Sequence, residues 1–518
     1  MEAPAVNAAE ELLRPPLRDG AGGRAAIWFE GRTVSYAELH EGSLRFAALW
    51  RRHGVGRGDL VLFLGRDGPA LYQAYLGAIL AGAVPAALSL RMTEEELAPL
   101  LAGSGARLLV ADADLLAGAA GRALPPGLPC MALDRPARGL PAAVEAARTT
   151  APRPPEDMGE DDPAFAIFTS GTTGRPKCVV HAHRAVRAAR RFMGEILGVG
   201  AGARVFCTSK LFFAYALGHA LFATLAVRAT AVLAAAWPEP EAVTEVVRAA
   251  APEVVFSVPA LYRSLLRAGL AEDPAWRRVR HCVAAGERLP EPVYRGWAAA
   301  TGRAPVEGIG ASETLFLFLA QRPGRTRPGV TGWPTPGTEV MLQGEDGAAA
   351  GAGRPGVLWV RMPSVALGYR GEPERGAAVL RDGWYCTGDM FVREEDGAFR
   401  YLGRADDMLK ISGQWVSPEE IEAAAQAAPG VAEAAAVGVE DGDGLTRLAL
   451  FVVPSGRVDD EAAFAAGLVA WMGARLARFK CPRRIGLLEA LPRTATGKVR
   501  RALLRERAAR MERERGWA

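Results

Sequence analysis

The first hundred residues alternate short apolar runs with stretches of helical period. Apolar runs at 59–64, 84–88 and 107–111 predict strands, and the stretch at 70–81 predicts a helix. Two helix starts have the spacing of a capping box, Ser35 with Glu38 and Thr93 with Glu96. Strands that alternate with helices indicate a parallel sheet covered by helices, so we expect an α/β fold.

The same alternation returns after residue 240. The pattern predicts helices at 242–250 and 259–268, and strands at 253–258 and 279–284. Three strand-to-loop junctions, at 168/169, 284/285 and 306/307, are rich in small residues. Because ligands bind at the carboxyl ends of strands in open α/β sheets, we expect these junctions to share one crevice.

From residue 330 the pattern changes to short alternating strands separated by turn residues, which predicts a small antiparallel β-barrel subdomain. A charged turn at Arg404 then precedes a compact α+β unit that ends near the C-terminus of the chain. In that unit we expect helices at 418–427 and 460–477 and strands at 431–439 and 447–453. We therefore predict a large N-terminal α/β domain, residues 1–404, and a small C-terminal domain, residues 405–518.

Residues 211–227 are nearly all apolar, and the run is about long enough to span a bilayer. Gly218 and His219 interrupt it, and Arg228 follows at once. The pattern therefore favours a buried core helix over a membrane span, and no membrane partner is expected.

Composition narrows the function classes further. The 62 basic and 58 acidic residues nearly balance, and no basic stripe with aromatics is present, which argues against a nucleic-acid partner. The six cysteines are scattered without Cys-x-x-Cys pairs, which fits a reducing, cytoplasmic setting better than zinc or disulfides. The first thirty residues lack the pattern of a signal peptide. His181 and His183 have no ligand at metal spacing, so we interpret them as packing residues.

One polar stretch stands out, Thr169-Ser170-Gly171-Thr172-Thr173-Gly174-Arg175-Pro176-Lys177, directly after the apolar run at 164–168. Its glycines allow close backbone approach, and its hydroxyls and lysine can bind phosphate oxygens. A plain Ser/Thr/Gly-rich surface loop is the alternative. The stretch is not a Walker A loop, because Cys178 follows the lysine where Ser or Thr is required, so a P-loop kinase is disfavoured.

Lysine is rare in this chain, and basic positions are otherwise arginine. The five lysines are Lys177, Lys210, Lys410, Lys480 and Lys498. Each lysine therefore raises the question of why a compact ammonium is needed there rather than a planar guanidinium.

The chain resembles the acyl-adenylate-forming superfamily of acyl- and aryl-CoA synthetases, carrier-domain adenylation modules and luciferases. Six motifs carry the resemblance in the family's order, at 169–177, 308–313, 356–369, 384–389, 403–422 and 492–498. The segment Lys210-Leu211-Phe212-Phe213-Ala214-Tyr215-Ala216-Leu217-Gly218 is similar to that of benzoate- and hydroxybenzoate-CoA ligases. The resemblance implies that a carboxylate attacks the α-phosphate of MgATP, and that a thiol then displaces AMP.

The resemblance also assigns roles in nucleotide binding. ATP phosphates would contact Thr169, Ser170, Gly171, Thr172, Thr173, Gly174 and Lys177. Adenine and ribose would contact Ala285, Gly286, Glu287, Glu307, Gly308, Ile309, Asp389 and Arg404. Glu313 would be the Mg²⁺ ligand, since Mg²⁺ takes hard oxygen and few protein carboxylates. Glu307 stands where Asp or Asn usually accepts the adenine amino group. ATP, Mg²⁺ and coenzyme A are the cofactors and substrates implied.

The C-terminal residues would serve two steps in turn. Lys498 resembles the family's catalytic lysine, which bridges the attacking carboxylate and the α-phosphate. Asp406 resembles the hinge about which a mobile C-terminal lid rotates after adenylation. The rotation would present Lys410, Gly413 and Trp415 to the pantetheine channel for thiolation.

The acid pocket implied by the resemblance is apolar and small. It comprises Ala214, Tyr215, Gly310, Phe316 and Leu317, with Gly286 beside them. Phe316 stands where benzoate ligases usually have His, and His219 replaces a usual Asn. We therefore expect benzoate or a lightly substituted aryl carboxylate rather than a ring substituent strongly hydrogen-bonded at position 316.

Three alternatives remain open to the sequence. An aryl-adenylating enzyme would hand the same adenylate to the phosphopantetheine of an acyl carrier protein. A P-loop phosphotransferase would release ADP in place of AMP and pyrophosphate. A non-catalytic binding protein would not need the motif acids and lysines. The expected assembly is a monomer or a homodimer.

Overall fold

The computed structural model describes residues 6–169, 176–411, 414–440, 446–482, 484–493, 499–514 and 517. The chain divides into two compact units. The first comprises Met1–Met341, Trp359–Thr387 and Asp396–Phe399, and the second comprises Leu342–Leu358, Gly388–Glu395 and Arg400–Ala518.

The largest sheet of the first unit has a parallel centre and antiparallel edges. Its strands, in spatial order, are Trp333–Pro334, Leu317–Ala320, Val306–Gly310, His281–Ala284, Val254–Ser257, Arg204–Cys207, Thr230–Leu233, Ala25–Phe29 and Arg32–Ser35. The run from Val306–Gly310 to Ala25–Phe29 is parallel throughout, and the flanking strands are antiparallel. The carboxyl end of His281–Ala284 lies beside the start of Val306–Gly310, since Ala284 pairs with Glu307.

A second sheet of the first unit is entirely parallel. Its order is Val84–Ala87, Leu60–Leu64, Leu108–Ala111 and Cys130–Ala132. All five residues of the central strand Leu60–Leu64 are buried, as in a strand covered on both faces. Three of these strands are as predicted, whereas Cys130–Ala132 lies in a stretch where no element was predicted.

The two end residues of the candidate phosphate stretch, Thr169 and Lys177, belong to a third, antiparallel sheet. The strand Pro163–Thr169 pairs with Lys177–Ala182, which pairs in turn with Gly368–Tyr369. The apolar run at 164–168 is therefore a buried strand, as predicted. It does not belong to the parallel sheet that contains the other two predicted junctions. Of these, 284/285 is the end of a strand as predicted, whereas the prediction at 306/307 is wrong, because both residues lie inside the strand Val306–Gly310.

Short strands also follow residue 330, as the alternating pattern predicts. They are Glu339–Gln343, Pro355–Arg361, Leu380–Arg381, Trp384–Arg393 and Phe399–Arg404. Leu380–Arg381 forms an antiparallel hairpin with the start of Trp384–Arg393.

Helices cover the sheets of the first unit. The α-helices span Ala8–Arg18, Tyr36–Arg52, Pro69–Leu80, Glu94–Gly103, Ala113–Ala117, Ala119–Arg122, Ala143–Arg148, Pro240–Ala250, Pro259–Arg267, Glu291–Thr301 and Pro373–Val379. Both predicted capping boxes are present, at Ser35 with Glu38 and at Thr93 with Glu96. Short 3₁₀ segments occur at His183–Ala188, Leu270–Glu272 and Trp276–Arg278, and a π-helical segment at Arg191–Ile196.

The apolar run at 211–227 is a buried helical segment, as predicted. It comprises α-helical Ala214–Ala216, π-helical Leu217–Ala223 and α-helical Thr224–Ala226. Among the residues that the structure describes, we find no helix with the length and apolar character needed to cross a bilayer.

The second unit has its own core. Val431–Glu440 pairs antiparallel with Thr446–Pro454, which pairs parallel with Arg484–Leu487. A separate hairpin joins Leu409–Ile411 to Gln414–Val416. The helices of this unit span Ala405–Asp407 (3₁₀), Pro418–Gln426, Glu461–Gly473, Arg478–Lys480 (3₁₀) and Arg501–Glu514. The last helix buries Leu504 and Ala508 and is otherwise largely polar.

Candidate active site

The ends of the candidate phosphate stretch are adjacent backbone partners. Thr169 ends one strand of the antiparallel sheet, Lys177 begins the next, and the two residues pair across it. Ser170, Gly171, Thr172, Thr173 and Gly174 lie outside the described residues. The hairpin thus fixes where the stretch leaves the sheet and where it returns.

Three motifs that are far apart in the sequence meet beside Lys177. The Lys177 ammonium lies 5.2 Å from the centre of the Tyr369 ring. The Tyr369 hydroxyl donates a hydrogen bond of 2.7 Å to Oε1 of Glu313. Burial, followed by the neighbouring Glu313 charge, raises the pKa of the Tyr369 hydroxyl well above its usual value. The hydroxyl therefore stays protonated and remains a donor to the carboxylate.

The turn that carries Glu313 is fixed by a hydrogen bond within it and by two hydrogen bonds to the segment at 364–366. The Thr314 side chain accepts from the Ala311 N–H at 3.0 Å, and the Glu313 carbonyl accepts from the Ala366 N–H at 2.8 Å. The Ser364 hydroxyl donates to the Thr314 carbonyl at 2.6 Å. Glu313 itself is only 8 % exposed, so its carboxylate has a defined place.

His181 lies directly beneath this turn. Its two ring nitrogens lie 3.0 Å from the Ser364 carbonyl and 2.8 Å from the Ser312 carbonyl. Its ring stacks on Phe165 at a centroid distance of 5.1 Å. Burial lowers the pKa of His181 to about 4, so the imidazole is neutral at pH 7 and donates to one carbonyl at a time. His181 is thus a packing residue, as predicted, and it packs against the residue before Glu313.

The candidate adenine wall lies where the carboxyl end of one parallel strand adjoins the start of the neighbouring strand. Ala285, Gly286 and Glu287 follow one strand, and Gly286 has a left-handed φ of +91° that favours glycine. Glu307 lies in the adjacent strand and is 6 % exposed. Its Oε1 accepts from the Leu289 N–H at 3.4 Å, whereas its Oε2 is buried with no hydrogen-bond partner among the described residues. Burial raises the pKa of Glu307 to about 7.

Two glycines of the same strand allow the following chain to return close beside it. A Cβ at Gly308 would lie 2.7 Å from Cδ1 of Leu317, and a Cβ at Gly310 would lie 2.9 Å from the Phe316 carbonyl oxygen. Ile309 between them is half-buried. The glycines therefore bring the adenine wall and the candidate acid pocket into contact.

In the second unit, the two remaining nucleotide candidates form an ion pair. Arg404 donates from Nη1 to Oδ1 of Asp389 at 3.1 Å. Gly388 precedes the aspartate with a φ of +68°, and a Cβ there would lie only 2.7 Å from Nη2 of Arg404. The left-handed φ favours glycine at this position, and a Cβ there would require the Arg404 guanidinium to shift.

The candidate hinge and thiolation residues lie close together in the chain of the second unit. Asp406 is exposed in the 3₁₀ turn Ala405–Asp407. Lys410 pairs with Trp415 across the hairpin, its ammonium 5.5 Å from the indole ring, and it contacts both oxygens of Glu345 at 2.9 Å. Gly413 and Lys498 lie outside the described residues.

The candidate acid pocket is built where the helical segment at 214–226 meets the turn after Glu313. Ala214 and Tyr215 are half-buried at the start of the helix, and the Tyr215 hydroxyl donates to the Val283 carbonyl at 3.3 Å. Phe316 and Leu317 are buried opposite. His219 lies between the two sides, 5.3 Å from the Tyr215 ring and 5.7 Å from the Phe316 ring.

One supporting pair was not predicted from the sequence. Buried Lys210 donates to the carbonyls of Ala234 and Ala236 at 2.6 and 2.5 Å, and Asp67 accepts from the Leu211 N–H at 3.2 Å. Burial raises the pKa of Asp67 to about 6 and lowers that of Lys210. These bonds hold Lys210 and Leu211 in place shortly before Ala214. The sequence signals for Lys210 were the rarity of lysine and its place at the start of the segment Lys210–Gly218.

Family models match most of the chain. The model described as AMP-binding enzyme matches residues 18–370, and the model described as AMP-binding enzyme C-terminal domain matches residues 420–498.

Individual relatives match at full length. The chain is 44 % identical over 515 residues to the 3-hydroxybenzoate–CoA ligase of Aromatoleum sp. (strain CIB), covering 97 % of both chains. It is 43 % identical over 518 residues to the 3-hydroxybenzoate–CoA/4-hydroxybenzoate–CoA ligase of Thauera aromatica, again covering 97 % of both. A solved benzoate CoA ligase from Burkholderia xenovorans LB400 superimposes with a TM-score of 0.83 at 35 % identity, covering 96 % of this chain and all of the other. The predicted α/β fold class is therefore confirmed, and the chain belongs to the AMP-binding enzymes, the acyl-adenylate-forming superfamily that its motifs resemble.

Proposed function

We propose that the protein is an ATP-dependent, AMP-forming aryl-CoA ligase. It activates benzoate or a close aryl carboxylate as the acyl adenylate and releases pyrophosphate. The thiol of coenzyme A then attacks the acyl carbon, and AMP leaves with its electron pair. The relatives that match over the full length are named as CoA ligases of 3-hydroxybenzoate and 4-hydroxybenzoate, which supports both an aryl acid and CoA as the thiol.

The observation that carries the proposal is the meeting of Lys177, Tyr369 and Glu313. These residues come from three motifs, and the contacts join a cation, a hydroxyl and a carboxylate beside the phosphate stretch. Such a set can hold a polyphosphate and its metal. The alternative for residues 169–177 is a plain surface loop. Such a loop would not require a buried carboxylate that binds the tyrosine beside its lysine.

The donor set fits Mg²⁺, which is bound in nucleotide sites by one or two carboxylates and by substrate phosphates. Glu313 would hold the ion, and Thr169, Ser170, Gly171, Thr172, Thr173, Gly174 and Lys177 would surround the β- and γ-phosphates. When bound, the ion neutralises charge on the phosphates. The Tyr369 hydroxyl orients the Glu313 carboxylate, and His181 supports the turn beneath it.

The nucleoside would be recognised through its adenine base and its ribose. Glu307 would accept from the adenine amino group, for which its unpartnered Oε2 is a suitable acceptor. Ala285, Gly286, Glu287, Gly308 and Ile309 would form the wall around the base. Asp389, oriented by Arg404, would accept from the ribose hydroxyls.

The aryl group would lie against Ala214, Tyr215, Gly310, Phe316 and Leu317. These side chains are apolar apart from the Tyr215 hydroxyl, which is already engaged with a carbonyl. A flat ring without a charged substituent fits such walls.

The C-terminal domain, with its boundary at about residue 404 and its hinge at Asp406, would supply the remaining groups. Lys498 would bridge the carboxylate and the α-phosphate during adenylation and stabilise the charge that develops there. Lys410, Gly413 and Trp415 would serve thiolation. All six cysteines lie in the part of the chain that the structure describes, and none forms a disulfide there, which supports a cytoplasmic location. The enzyme would be a monomer or a homodimer.

A panel of carboxylic acids tests the proposal directly. Pyrophosphate release and AMP formation are measured with benzoate, hydroxybenzoates and short fatty acids, with and without CoA. We expect aryl acids to release pyrophosphate and to form acyl-CoA only when CoA is present. Release of ADP instead of AMP would indicate a phosphotransferase. Acyl transfer to a holo carrier protein but not to CoA would favour the carrier-loading alternative.

A further inference from the structure

His219 has a buried ring nitrogen that no group in the described chain satisfies. The side chain is 1 % exposed, and Nε2 has no hydrogen-bond partner. Nδ1 lies 3.1 Å from the Tyr215 carbonyl. An unpartnered polar atom in an apolar interior destabilises the fold, so its presence there calls for an explanation.

The contact at Nδ1 determines what Nε2 can bind. A carbonyl oxygen can only accept, so Nδ1 carries the proton. Burial lowers the pKa of His219 to about 4, and the imidazole is therefore neutral at pH 7 with a single proton. Nε2 is then a lone-pair acceptor, and its partner must be a hydrogen-bond donor.

No such donor is found around the ring among the described residues. The neighbouring rings are Phe256 at 5.0 Å, Tyr215 at 5.3 Å, Phe316 at 5.7 Å and Phe192 at 6.0 Å. The three phenylalanines have no donor, and the Tyr215 hydroxyl already donates to the Val283 carbonyl. Two of these rings, Tyr215 and Phe316, are the walls proposed for the aryl pocket.

We propose that Nε2 of His219 accepts a hydrogen bond from a hydroxyl group on the ring of the substrate. His219 is then a specificity-determining residue, and the preferred acids are aryl carboxylates with a donor at one ring position. In the structure Nε2 is buried, so a neighbouring side chain must move for the ring donor to reach it. The inference rests on the proposed function and deepens it. His219, on the helical segment, would provide the polar group that the phenylalanine at position 316 cannot provide.

The first experiment uses the natural protein and a series of substituents. Pyrophosphate release is measured with benzoate and with the hydroxy, fluoro and methoxy acids at each ring position. We expect kcat/KM for one hydroxybenzoate to exceed that for benzoate and for its own fluoro and methoxy analogues by about 10- to 100-fold. If no hydroxy acid has this advantage over its analogues, the proposal is overturned.

The second experiment tests the residue. His219→Phe removes the acceptor and retains a flat ring, so kcat/KM for the hydroxy acid should fall to within about threefold of that for benzoate. His219→Gln keeps a carbonyl acceptor and should retain part of the preference. The matched control is His183→Phe, because His183 is also buried with an unpartnered Nε2 but accepts from the Ala8 N–H, away from the pocket. This control should leave the ratio between acids unchanged.

Two failures can be told apart. If His219→Phe lowers turnover of every acid by the same factor, His219 is only structural and the inference is wrong, whereas the proposed function stands. If no aryl acid releases pyrophosphate with the natural protein, the proposed function itself is wrong, and the inference falls with it.

Discussion

Glu307 is a buried carboxyl whose protonation is linked to stability. Burial raises its pKa from 4.5 to about 7 in the folded protein. The folded state therefore binds this proton more tightly than the unfolded state, and the stability present below pH 4.5 is lost as the pH rises through 7. At 1.36 kcal/mol per pKa unit, the loss is about 3 kcal/mol.

We therefore expect Glu307→Gln, which removes the ionisation, to be more stable than the natural protein at pH 8 and nearly equal at pH 5. Thermal unfolding at the two pH values measures the difference. Glu245→Gln, at an exposed helix position, is the control and should show no pH-dependent gain. A gain of equal size at both pH values would show that ionisation of Glu307 is not the cause.

Tyr369 contributes through a single hydrogen bond to the proposed metal ligand. Tyr369→Phe keeps the ring near Lys177 but removes the donor to Glu313. A hydrogen bond to a carboxylate stabilises by about 1.5–3 kcal/mol, so the Mg²⁺ concentration for half-maximal ATP binding should rise about tenfold. Titration of Mn²⁺ or Mg²⁺ against bound nucleotide measures this shift without turnover.

Tyr36→Phe is the matched control for that substitution. Its hydroxyl donates over the same 2.7 Å to the Ala229 carbonyl, a neutral acceptor in the same unit. Tyr36→Phe should reduce thermal stability and leave the Mg²⁺ dependence unchanged. An unchanged Mg²⁺ dependence in Tyr369→Phe would mean that the hydroxyl does not orient a metal ligand.

The sequence identified the candidate residues whose chemistry is local to a motif, such as Glu313 and Asp389. It did not identify the residues that hold them. Tyr369 is 56 residues from Glu313, and His181 is 183 residues from Ser364, so only the fold reveals these contacts. The same holds for His219, whose significance depends on the rings that surround it.

At the scale of elements, periodicity predicted most strands and helices of the parallel sheets to within a few residues. Periodicity could not determine which strands pair with one another. The strand Pro163–Thr169 is an apolar run like those of the parallel sheets, yet it pairs antiparallel in a separate sheet. The strand Cys130–Ala132 was missed because three residues in a Pro-, Ala- and Gly-rich stretch carry no period. The helix predicted at 460–477 ends at Gly473. The prediction ran too far because apolar residues continue in the sequence after the helix ends.

The strand Trp384–Arg393 contains Gly388 and Asp389, and Asp389 forms an ion pair with Arg404. Gly388→Ala would strain a backbone with φ of +68° and force the Arg404 guanidinium away from a Cβ at 2.7 Å. Since Arg404 orients Asp389, we expect KM for ATP to rise about tenfold, from the loss of one charged hydrogen bond. Initial rates at varied ATP measure the change.

Gly397→Ala separates the two effects of that substitution. Gly397 has a φ of +80° but no atom within 4 Å of a Cβ, so the alanine there adds backbone strain alone. Left-handed alanine costs about 1–2 kcal/mol, and both variants should lose similar thermal stability. If Gly397→Ala raises KM for ATP as much as Gly388→Ala does, displacement of Arg404 is not the reason.

At the scale of the whole molecule, the proposed machinery is divided between two compact units. Lys177, Glu307 and Glu313 belong to the first unit, whereas Asp389 and Lys410 belong to the second. The predicted boundary at residue 404 stays a prediction, as does the hinge at Asp406. The two proposed half-reactions need different groups from the C-terminal domain, so a substitution in that domain should affect one half-reaction and spare the other.

Lys498 provides that test, because its proposed role belongs to one half-reaction only. Lys498→Ala should reduce adenylate formation by about 100-fold or more, as expected when a cation that stabilises developing charge is removed. Thiolysis of a supplied aryl adenylate by CoA should stay within about threefold, since that step would use the segment at 410–415. Lys480→Ala is the control, because Lys480 lies in the same unit and pairs with Glu420 at 2.7 Å. It should change neither half-reaction. Equal loss of adenylation and thiolysis in Lys498→Ala would show that one arrangement of the C-terminal domain serves both steps.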